Sequence, residues 1–231
     1  MGIKIILVHG GGYLIDYWLN KLGIQPKFHN GLRVTDSQTM EVVEMVLSGS
    51  INKNIVSLLG DNNINALGLS GKDSSLITAM PLFKDLSNFT GKVDKINVSV
   101  LKTLLSNNIL PVIASVAAGA EGCSYNINAD TLASSIASCL NADKLIFITD
   151  TPGLLFNVND SSSLIKYANL VEVNRLINLN IIKGGMIPKV DSCISALKSN
   201  VKSAHIIDGR VRYSLLYEIL TYDRIGSMLV N

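Results

Sequence analysis

The sequence predicts an α/β protein with a mainly parallel β-sheet that helices cover on both faces. Continuous apolar runs, which are typical of strands buried on both sides, alternate with stretches of helical periodicity. The runs are Ile3–Val8, Asn65–Ser70, Ile109–Val116, Lys144–Thr149 and Ser203–Asp208. Glycine-rich loops follow several of them where a helix is expected to begin, which is the order of βαβ units.

The helices follow from apolar spacing and from capping residues. Leu14, Trp18 and Leu22 recur at helical spacing after Gly12, and Gly23 ends that helix. Thr35–Asp36 can cap a second helix, with a break expected near Gly49. Further helices are expected over 98–105, 132–140, 190–197 and 215–220. The best lobe boundary lies near Asn141, which divides the chain into 1–141 and 142–231.

Composition bounds the class of protein. The 231 residues are 48% hydrophobic and 16% charged, enough for one domain or two closely packed lobes with a large core. A net charge of +2 without a basic block argues against a nucleic-acid or membrane surface. The three cysteines have neither zinc-site nor CxxC spacing, so a reducing compartment is expected.

Four glycine loops indicate a phosphorylated or carboxylated ligand. They are "HGGG", "GLSGKD", "TDTPG" and "KGGMIPK". Glycines let backbone N–H groups approach an anion, and a helix that follows adds positive potential. Walker A and GxGxxG patterns are absent, which disfavours P-loop ATPases and ordinary dehydrogenases.

A few polar residues are candidates for chemistry. Asn126, Asn128 and Asp130 are two residues apart, so an extended segment would point them the same way. They form either a helix cap with a turn or a polar cluster that holds a substrate. Lys189 opposes the dipole of a helix that it begins, and Arg33 suits a carboxylate, although solvent exposure is the default for both. The histidines have no triad or metal spacing, and His9 and His205 are interpreted as structural.

Taken in order, these stretches resemble the amino acid kinase family. The resemblance runs from "LVHGGG" through "GLRVTD", "VEMVLSGSINK", "GLSGKD" and "NINAD" to "TDTPG", "GGMIPKV" and "HIIDGR". "GLRVTD" and "NINAD" are similar to its acetylglutamate branch in particular. The resemblance implies an open three-layer αβα sandwich with an acidic-substrate lobe first and an ATP lobe second. It implies phosphoryl transfer from ATP, with Mg²⁺, to the side-chain carboxylate of N-acetyl-L-glutamate, in arginine biosynthesis.

The resemblance also implies roles for individual residues. Gly11 and Gly12 lie near substrate and transferred phosphate, Arg33 holds the α-carboxylate, and Asn126 and Asn128 belong to the substrate site. Asp130 orients the catalytic lysines, and Lys189 neutralises charge on the ATP side. The nucleotide site takes Ser70, Gly71, Thr149, Asp150, Gly153, Leu154, Leu155, Ile181, Ile182 and Lys183. A carboxylate nucleophile is already ionised at neutral pH, so no general base is needed.

The start of the sequence departs from the family pattern. Family members begin with a further strand carrying a Lys-x-Gly-Gly loop and a helix before they reach "VHGGG", and Lys4 is no substitute for that lysine. Loss of one preorganised donor costs on the order of a hundred- to a thousandfold in rate. We therefore expect an incomplete gene model or fragment. The alternatives are a short, weak enzyme, a catalytically inactive protein that keeps ligand recognition, and a kinase of another amino acid or UMP.

Partners and compartment are also implied by the resemblance. It implies a homodimer and allows a hexamer. The segment from His205 to Val230 resembles the part that holds inhibitory arginine in sensitive members, and photosynthetic relatives also bind the PII signalling protein. The expected location is the cytoplasm, or the plastid stroma if the gene is organelle-encoded, with no nucleic-acid or membrane partner.

Overall fold

The computed structural model describes residues 2–29, 31–221 and 224–231. Tyr222 and Asp223, within the segment compared with an arginine site, lie outside the described residues. The chain divides into two compact units, Met1–Leu132 and Ala133–Asn231. The functional boundary near Asn141 stays a prediction. Both units combine α-helices with sheets that contain parallel strands, which confirms the predicted α/β class.

Each predicted apolar run and helical stretch contains an element, and further strands lie outside the predicted runs. The strands are β1 (Leu7–His9), β2 (Lys27–His29), β3 (Leu32–Val34), β4 (Ala66–Leu69), β5 (Ile77–Pro81), β6 (Thr90–Ile96), β7 (Leu110–Ala114), β8 (Val116–Ala118), β9 (Ser124–Ile127), β10 (Lys144–Thr149), β11 (Tyr167–Asn169), β12 (Ser203–Asp208) and β13 (Ser227–Val230). The α-helices are α1 (Gly12–Lys21), α2 (Ser37–Glu44), α3 (Asn52–Asp61), α4 (Val98–Ser106), α5 (Ala129–Leu140), α6 (Leu170–Asn178), α7 (Met186–Lys198) and α8 (Ser214–Leu220).

The first unit is built on a three-stranded parallel sheet in the order β1-β7-β4. Its core packs α1 and α2 against this sheet through Ile15, Leu19, Val43 and Leu47, all of them buried. Because the strands are parallel, their carboxyl ends lie on one edge, where His9 ends β1 and Ser70 and Ser115 follow β4 and β7.

The first strand is shorter than predicted. We expected a strand over Ile3–Val8, but β1 begins at Leu7 and pairs with β7 only through Leu7–His9. Ile3 and Ile5 are 57% and 48% exposed. An apolar run of strand length forms a strand only where a neighbouring strand supplies hydrogen bonds, and β7 does so from Leu7 onward.

The expected break near Gly49 is absent. Asp36 caps α2 by accepting a hydrogen bond from the Thr39 N–H at 2.8 Å, as predicted. The helix then continues as a π-helical segment, Met45–Ile51, into α3. The whole stretch, Ser37–Asp61, is long and apolar enough by composition to span a membrane. Its apolar residues Val43 and Leu47 lie in the core of the first unit.

A barrel with both parallel and antiparallel pairings and an antiparallel hairpin, both in the first unit, were not predicted. Strands β5, β6, β9 and β8 close into a small barrel, and β2 pairs with β3 as a hairpin. Arg33, expected in a loop between helices, therefore lies on strand β3. Pairings between distant segments leave no signal in local periodicity, because they depend on partners far along the chain.

The second unit contains a mixed sheet in the order β10-β12-β13-β11. Strands β10 and β12 are parallel, as predicted, whereas β13 runs antiparallel to β12. The core gathers Phe147 and Ile206 from the sheet with Val190, Cys193 and Leu197 from α7. The opposite face of β12 carries His205, which belongs to a buried ionisable pair.

That pair joins strand β12 to helix α8. His205 Nδ1 lies 2.7 Å from Glu218 Oε1, and the Gly226 N–H donates to Glu218 Oε2 at 3.1 Å. Both side chains are fully buried, and Ser203 Oγ lies 2.9 Å from the other ring nitrogen. Burial opposes ionisation of Glu218, but the bonds from His205 and Gly226 outweigh it and lower its pKa.

We expect Glu218→Ala to lower the free energy of unfolding by about 3–5 kcal/mol, because it leaves His205 buried without its partner. The control is Glu172→Ala, at an exposed residue, which should change the free energy of unfolding by less than about 1 kcal/mol.

The stabilising effect of Glu218 should depend on pH. Because folding lowers the pKa of Glu218, its carboxylate stabilises the protein fully above the ordinary pKa of 4.5 and loses this effect as pH falls through the pKa of the folded state. Urea unfolding at several pH values checks this: the gap between wild type and Glu218→Ala should narrow in acid, and a constant gap would contradict the assignment.

Candidate active site

A cavity of about 200 Å³ lies in the first unit, where strands β1 and β7 end. Its wall combines the glycine loop with polar side chains that come from distant parts of the sequence. They include Gly11, Gly12, Arg33, Ser115, Asn126 and Asn128. Sites for small ligands in α/β proteins commonly lie at this edge of a parallel sheet.

The glycine loop forms the floor of this cavity and begins helix α1. Gly11 is the residue before the helix, and its carbonyl accepts the first helical hydrogen bond, from the Ile15 N–H at 3.0 Å. A Cβ on Gly11 would overlap the side chains of Ile51 and Leu47, whereas one on Gly12 would meet nothing within 4 Å. The sequence needs glycine at 11 for close packing, and the helix N-terminus supplies positive potential to an anion.

Arg33 is the cationic side chain of the cavity wall. Its side chain is 7% exposed, and Nη1 donates to Asp16 Oδ1 at 2.7 Å. The guanidinium carbon lies 4.8 Å from the centre of the Phe28 ring. Thr90 Oγ1 donates to the Arg33 carbonyl at 2.6 Å. Contacts on the head group and the backbone fix the guanidinium, so a carboxylate would meet it with little loss of side-chain entropy.

Two of the three spaced polar residues line the cavity. Asn126 Nδ2 donates to Thr35 Oγ1 at 3.0 Å, which orients its amide. Asn128 Oδ1 accepts from the Thr131 N–H at 3.0 Å, so Asn128 rather than Asp130 caps helix α5. Asp130 lies in the first turn of α5 and is not part of the cavity wall. The two-residue repeat ends because the helix begins at Ala129.

The loop after β4 is closed by its own hydrogen bonds. The Ser70 N–H and Oγ both donate to Asp73 Oδ2, at 2.6 and 2.9 Å. The Gly71 N–H donates to the Val116 carbonyl at 2.7 Å, and a Cβ there would overlap that carbonyl. Three donors that a phosphate could use are thus engaged within the first unit.

The predicted nucleotide residues of the second unit begin at the carboxyl end of β10. Thr149 Oγ1 lies 3.3 Å from Asp150 Oδ1, and the Thr149 carbonyl accepts from the Gly209 N–H at 2.8 Å. Gly153 has φ +141°, and a Cβ there would crowd the Ser227 side chain. Ser227 Oγ accepts the Leu154 N–H at 2.8 Å, and Leu155 bridges to Leu164. The turn is therefore rigid.

The remaining candidates lie before and within α7. Ile182 is buried in the core, Ile181 packs against that core, and Lys183 is exposed. The sequence predicted that Lys189 begins its helix, but α7 begins at Met186, so Lys189 is the fourth residue of the helix. Its Nζ lies 5.1 Å from the centre of the Phe147 ring. The dipole of α7 is unfavourable to a lysine in its first turn, whereas the face of the Phe147 ring is favourable to it.

Sequence reasoning missed several residues of the cavity. Asp16 and Phe28 hold Arg33, and Thr90 and Ser115 complete the wall. Ser115 carried a usable signal, because it lies near the carboxyl end of the apolar run Ile109–Val116, and ligands of parallel sheets commonly bind at that end of the strands. Asp16, Phe28 and Thr90 carried none, since only chain folding brings them to Arg33.

Comparison with known proteins adds independent information. A family model described as the amino acid kinase family matches residues 1–208. An acetylglutamate kinase from Gracilaria tenuistipitata var. liui is 56% identical over 231 residues, which cover 100% of this chain and 81% of that protein. One from Nostoc sp. (strain PCC 7120 / SAG 25.82 / UTEX 2576) is 51% identical over 231 residues, covering 100% and 78%. The crystal structure of smu.665 from Streptococcus mutans UA159 has a TM-score of 0.86 at 30% identity, covering 99% of this chain and 86% of that one.

Proposed function

The chain belongs to the amino acid kinase family, and we propose that it transfers a phosphoryl group from ATP to the side-chain carboxylate of N-acetyl-L-glutamate. The product is an acyl phosphate, made in the second step of arginine biosynthesis. Relatives more than 50% identical over the whole chain are acetylglutamate kinases, which supports this substrate and places the chain among the phosphotransferases. No comparison favours the alternative of an inactive binding protein.

The observation that carries the proposal is the cavity with Arg33 in its wall. A dicarboxylate substrate needs a cation for one carboxylate and a cluster of donors for the other. Arg33 binds the α-carboxylate, and the Gly11 and Gly12 backbone lies beside the reacting carboxylate and the transferred phosphate. Asn126 and Asn128, which also line the cavity, complete the substrate contacts.

The reaction needs positioning and charge neutralisation more than proton transfer. The carboxylate nucleophile is ionised at neutral pH, and the transition state spreads charge over the phosphoryl oxygens. Lys189 neutralises charge on the ATP side, and Asp130 orients the lysines. These roles rest on the family resemblance.

The nucleotide is proposed to bind mainly to the second unit. In the second unit, the nucleotide would contact the turn after β10 and the residues before α7. Ser70 and Gly71 of the first unit would lie near its phosphates. Among residues 2–29, 31–221 and 224–231, no group of three or more His, Cys, Asp or Glu could hold a metal ion. We therefore propose that Mg²⁺ enters with ATP, held mainly by phosphate oxygens and water.

The test is ADP release by the full chain with N-acetyl-L-glutamate and MgATP. Release that depends on N-acetyl-L-glutamate, with little for L-aspartate or UMP, is the expected result. Binding of both ligands by calorimetry without ADP release would favour the binding-protein alternative. Absence of N-acetyl-L-glutamate binding would overturn the proposed function.

A homodimer is proposed from the edge of the first sheet. Among the residues that the structure describes, strand β4 pairs with β7 alone, and the nearby Leu58, Ile64 and Leu67 are exposed. An open strand beside apolar side chains suits pairing with a second copy. Light scattering should give about twice the chain mass for a dimer or six times it for a hexamer, and a monomer mass would contradict both.

Regulation and location are proposed from the resemblance and from the sources of the relatives. L-Arginine is proposed as an inhibitor bound at the C-terminal segment, and ADP release that is insensitive to arginine would contradict this. Red algal and cyanobacterial relatives support a plastid stroma or cytoplasmic enzyme with PII as a further partner. Co-purification with a PII protein from the same source tests that contact.

A further inference from the structure

A buried asparagine connects the long helix to the glycine loop. Asn52, the first residue of α3, is fully buried. Its Nδ2 lies 3.1 Å from His9 Nε2 and donates to the Val112 carbonyl at 3.0 Å. His9 Nδ1 in turn lies 3.0 Å from the carbonyl oxygen of Gly10. These contacts connect helix α3, through the ring of His9, to the glycine loop that forms the floor of the cavity.

The π-helical segment puts Asn52 in this position. Leu47 and Asn52 are both buried and are five residues apart, which is the repeat of a π-helix rather than of an α-helix. In an α-helix, Asn52 would lie roughly 140° around the helix axis from Leu47. The wider π-helical turn instead keeps Asn52 on the side of Leu47 and Ile51, which both face Gly11. π-Helical segments are frequent at functional sites.

The neighbours of Asn52 decide how its amide is oriented. Lys53 Nζ donates to Asn52 Oδ1 at 3.1 Å, and the Val112 carbonyl accepts from Nδ2. The opposite orientation would set oxygen against oxygen at Val112 and donor against donor at Lys53. The amide nitrogen therefore faces His9 Nε2, which must accept.

The tautomer of His9 follows from this donor. With Nε2 accepting, the ring proton of neutral histidine is on Nδ1, which then donates to the Gly10 carbonyl. Burial lowers the pKa of His9, and the bond with Gly10 opposes this only in part, so the ring is neutral near pH 7. A peptide unit is planar and trans, so fixing the Gly10 carbonyl also fixes the direction of the Gly11 N–H.

We propose that Asn52 and His9 are positioning residues, which hold the Gly10–Gly11 peptide in the orientation that binds substrate. Asn52 selects the Nδ1–H tautomer of His9, and His9 holds the peptide through the Gly10 carbonyl. The inference deepens the proposed function and rests on it. It replaces the interpretation of His9 as merely structural.

Two replacements of His9 separate positioning from packing. His9→Asn keeps an amide nitrogen near the place of Nδ1, whereas His9→Gln is closer in size to histidine but extends toward the place of Nε2. We expect His9→Gln to raise the Kd for N-acetyl-L-glutamate about tenfold or more, with His9→Asn within about threefold of wild type. The proposal would be overturned if the two variants lost affinity equally, if neither lost affinity, or if His9→Asn lost more affinity than His9→Gln.

The tautomer can be measured without activity and without a variant. Long-range ¹⁵N–¹H spectra of the full chain at pH 7.5 should identify His9 as the Nδ1–H form, and Asn52→Asp should shift it to the Nε2–H form or the imidazolium. A wild-type Nε2–H form or imidazolium would overturn the inference. A wild type with the expected tautomer that binds no N-acetyl-L-glutamate would instead contradict the proposed function.

Discussion

Arg33→Ala is expected to raise the KM for N-acetyl-L-glutamate roughly 100-fold and to leave kcat within a few fold. A guanidinium that holds a carboxylate through two charge-assisted hydrogen bonds contributes about 3 kcal/mol, or about two decades in affinity. The α-carboxylate does not react, so its contacts are equal in the ground and transition states and their loss appears in KM. Initial rates of ADP release against substrate concentration measure both constants.

Two further variants make the Arg33 result specific. Arg33→Lys keeps the charge and can keep the ion pair with Asp16, but it loses the planar fork, so an intermediate KM is expected. Arg175, exposed on α6, is the control, and Arg175→Ala should leave both constants unchanged. A KM for Arg33→Ala within about threefold of wild type would contradict its assigned role.

Lys189→Ala is expected to lower kcat by roughly 100- to 1000-fold, with a small change in the KM for N-acetyl-L-glutamate. One preorganised donor beside a developing charge contributes about that much to rate. The substrate contacts assigned to Arg33, Asn126 and the glycine loop remain intact in this variant. Single-turnover ADP formation at saturating substrates gives the rate.

Stability distinguishes a catalytic lysine from a structural one. The dipole of α7 disfavours the Lys189 charge and the Phe147 ring favours it, so Lys189→Ala should change the free energy of unfolding by less than about 1 kcal/mol. Lys202, whose side chain is 76% exposed in a surface ion pair with Asp143, is the matched control, and Lys202→Ala should change neither rate nor stability. A kcat within about threefold of wild type would remove Lys189 from the mechanism.

Periodicity and apolar runs in the sequence predicted two kinds of element. These are helices, whose backbone hydrogen bonds are internal, and strands that bury a continuous apolar run. Strands β4, β10 and β12 and helices α1 and α4 match their patterns within a few residues. The start of β1 was predicted too early, because strand formation there depends on how far β7 extends. The sequence around the barrel strands and the β2–β3 hairpin has no periodicity that predicts these pairings.

The helix through Gly49 illustrates the same limit. Glycine lowers helix propensity by about 1 kcal/mol, which made a break reasonable from sequence. Burial of Val43, Val46 and Leu47 in the core outweighs that cost, and the chain continues as a π-helical segment. Tertiary packing, not propensity, then decided that Asn52 faces His9.

The sequence by itself determined the α/β class, the glycine loop at the first strand, and the candidate residues Arg33, Asn126 and Asn128, since these follow from local periodicity, glycine placement and family resemblance. Only the tertiary structure decided that Arg33 is held by Asp16 and Phe28, that Asn128 caps α5, and that Asn52 reaches the glycine loop through His9. The physical reason is that a buried polar group must find its hydrogen-bond partner somewhere in the fold. For Asn52 the partners, His9 and Val112, lie 43 and 60 residues away along the chain, beyond the reach of any local pattern.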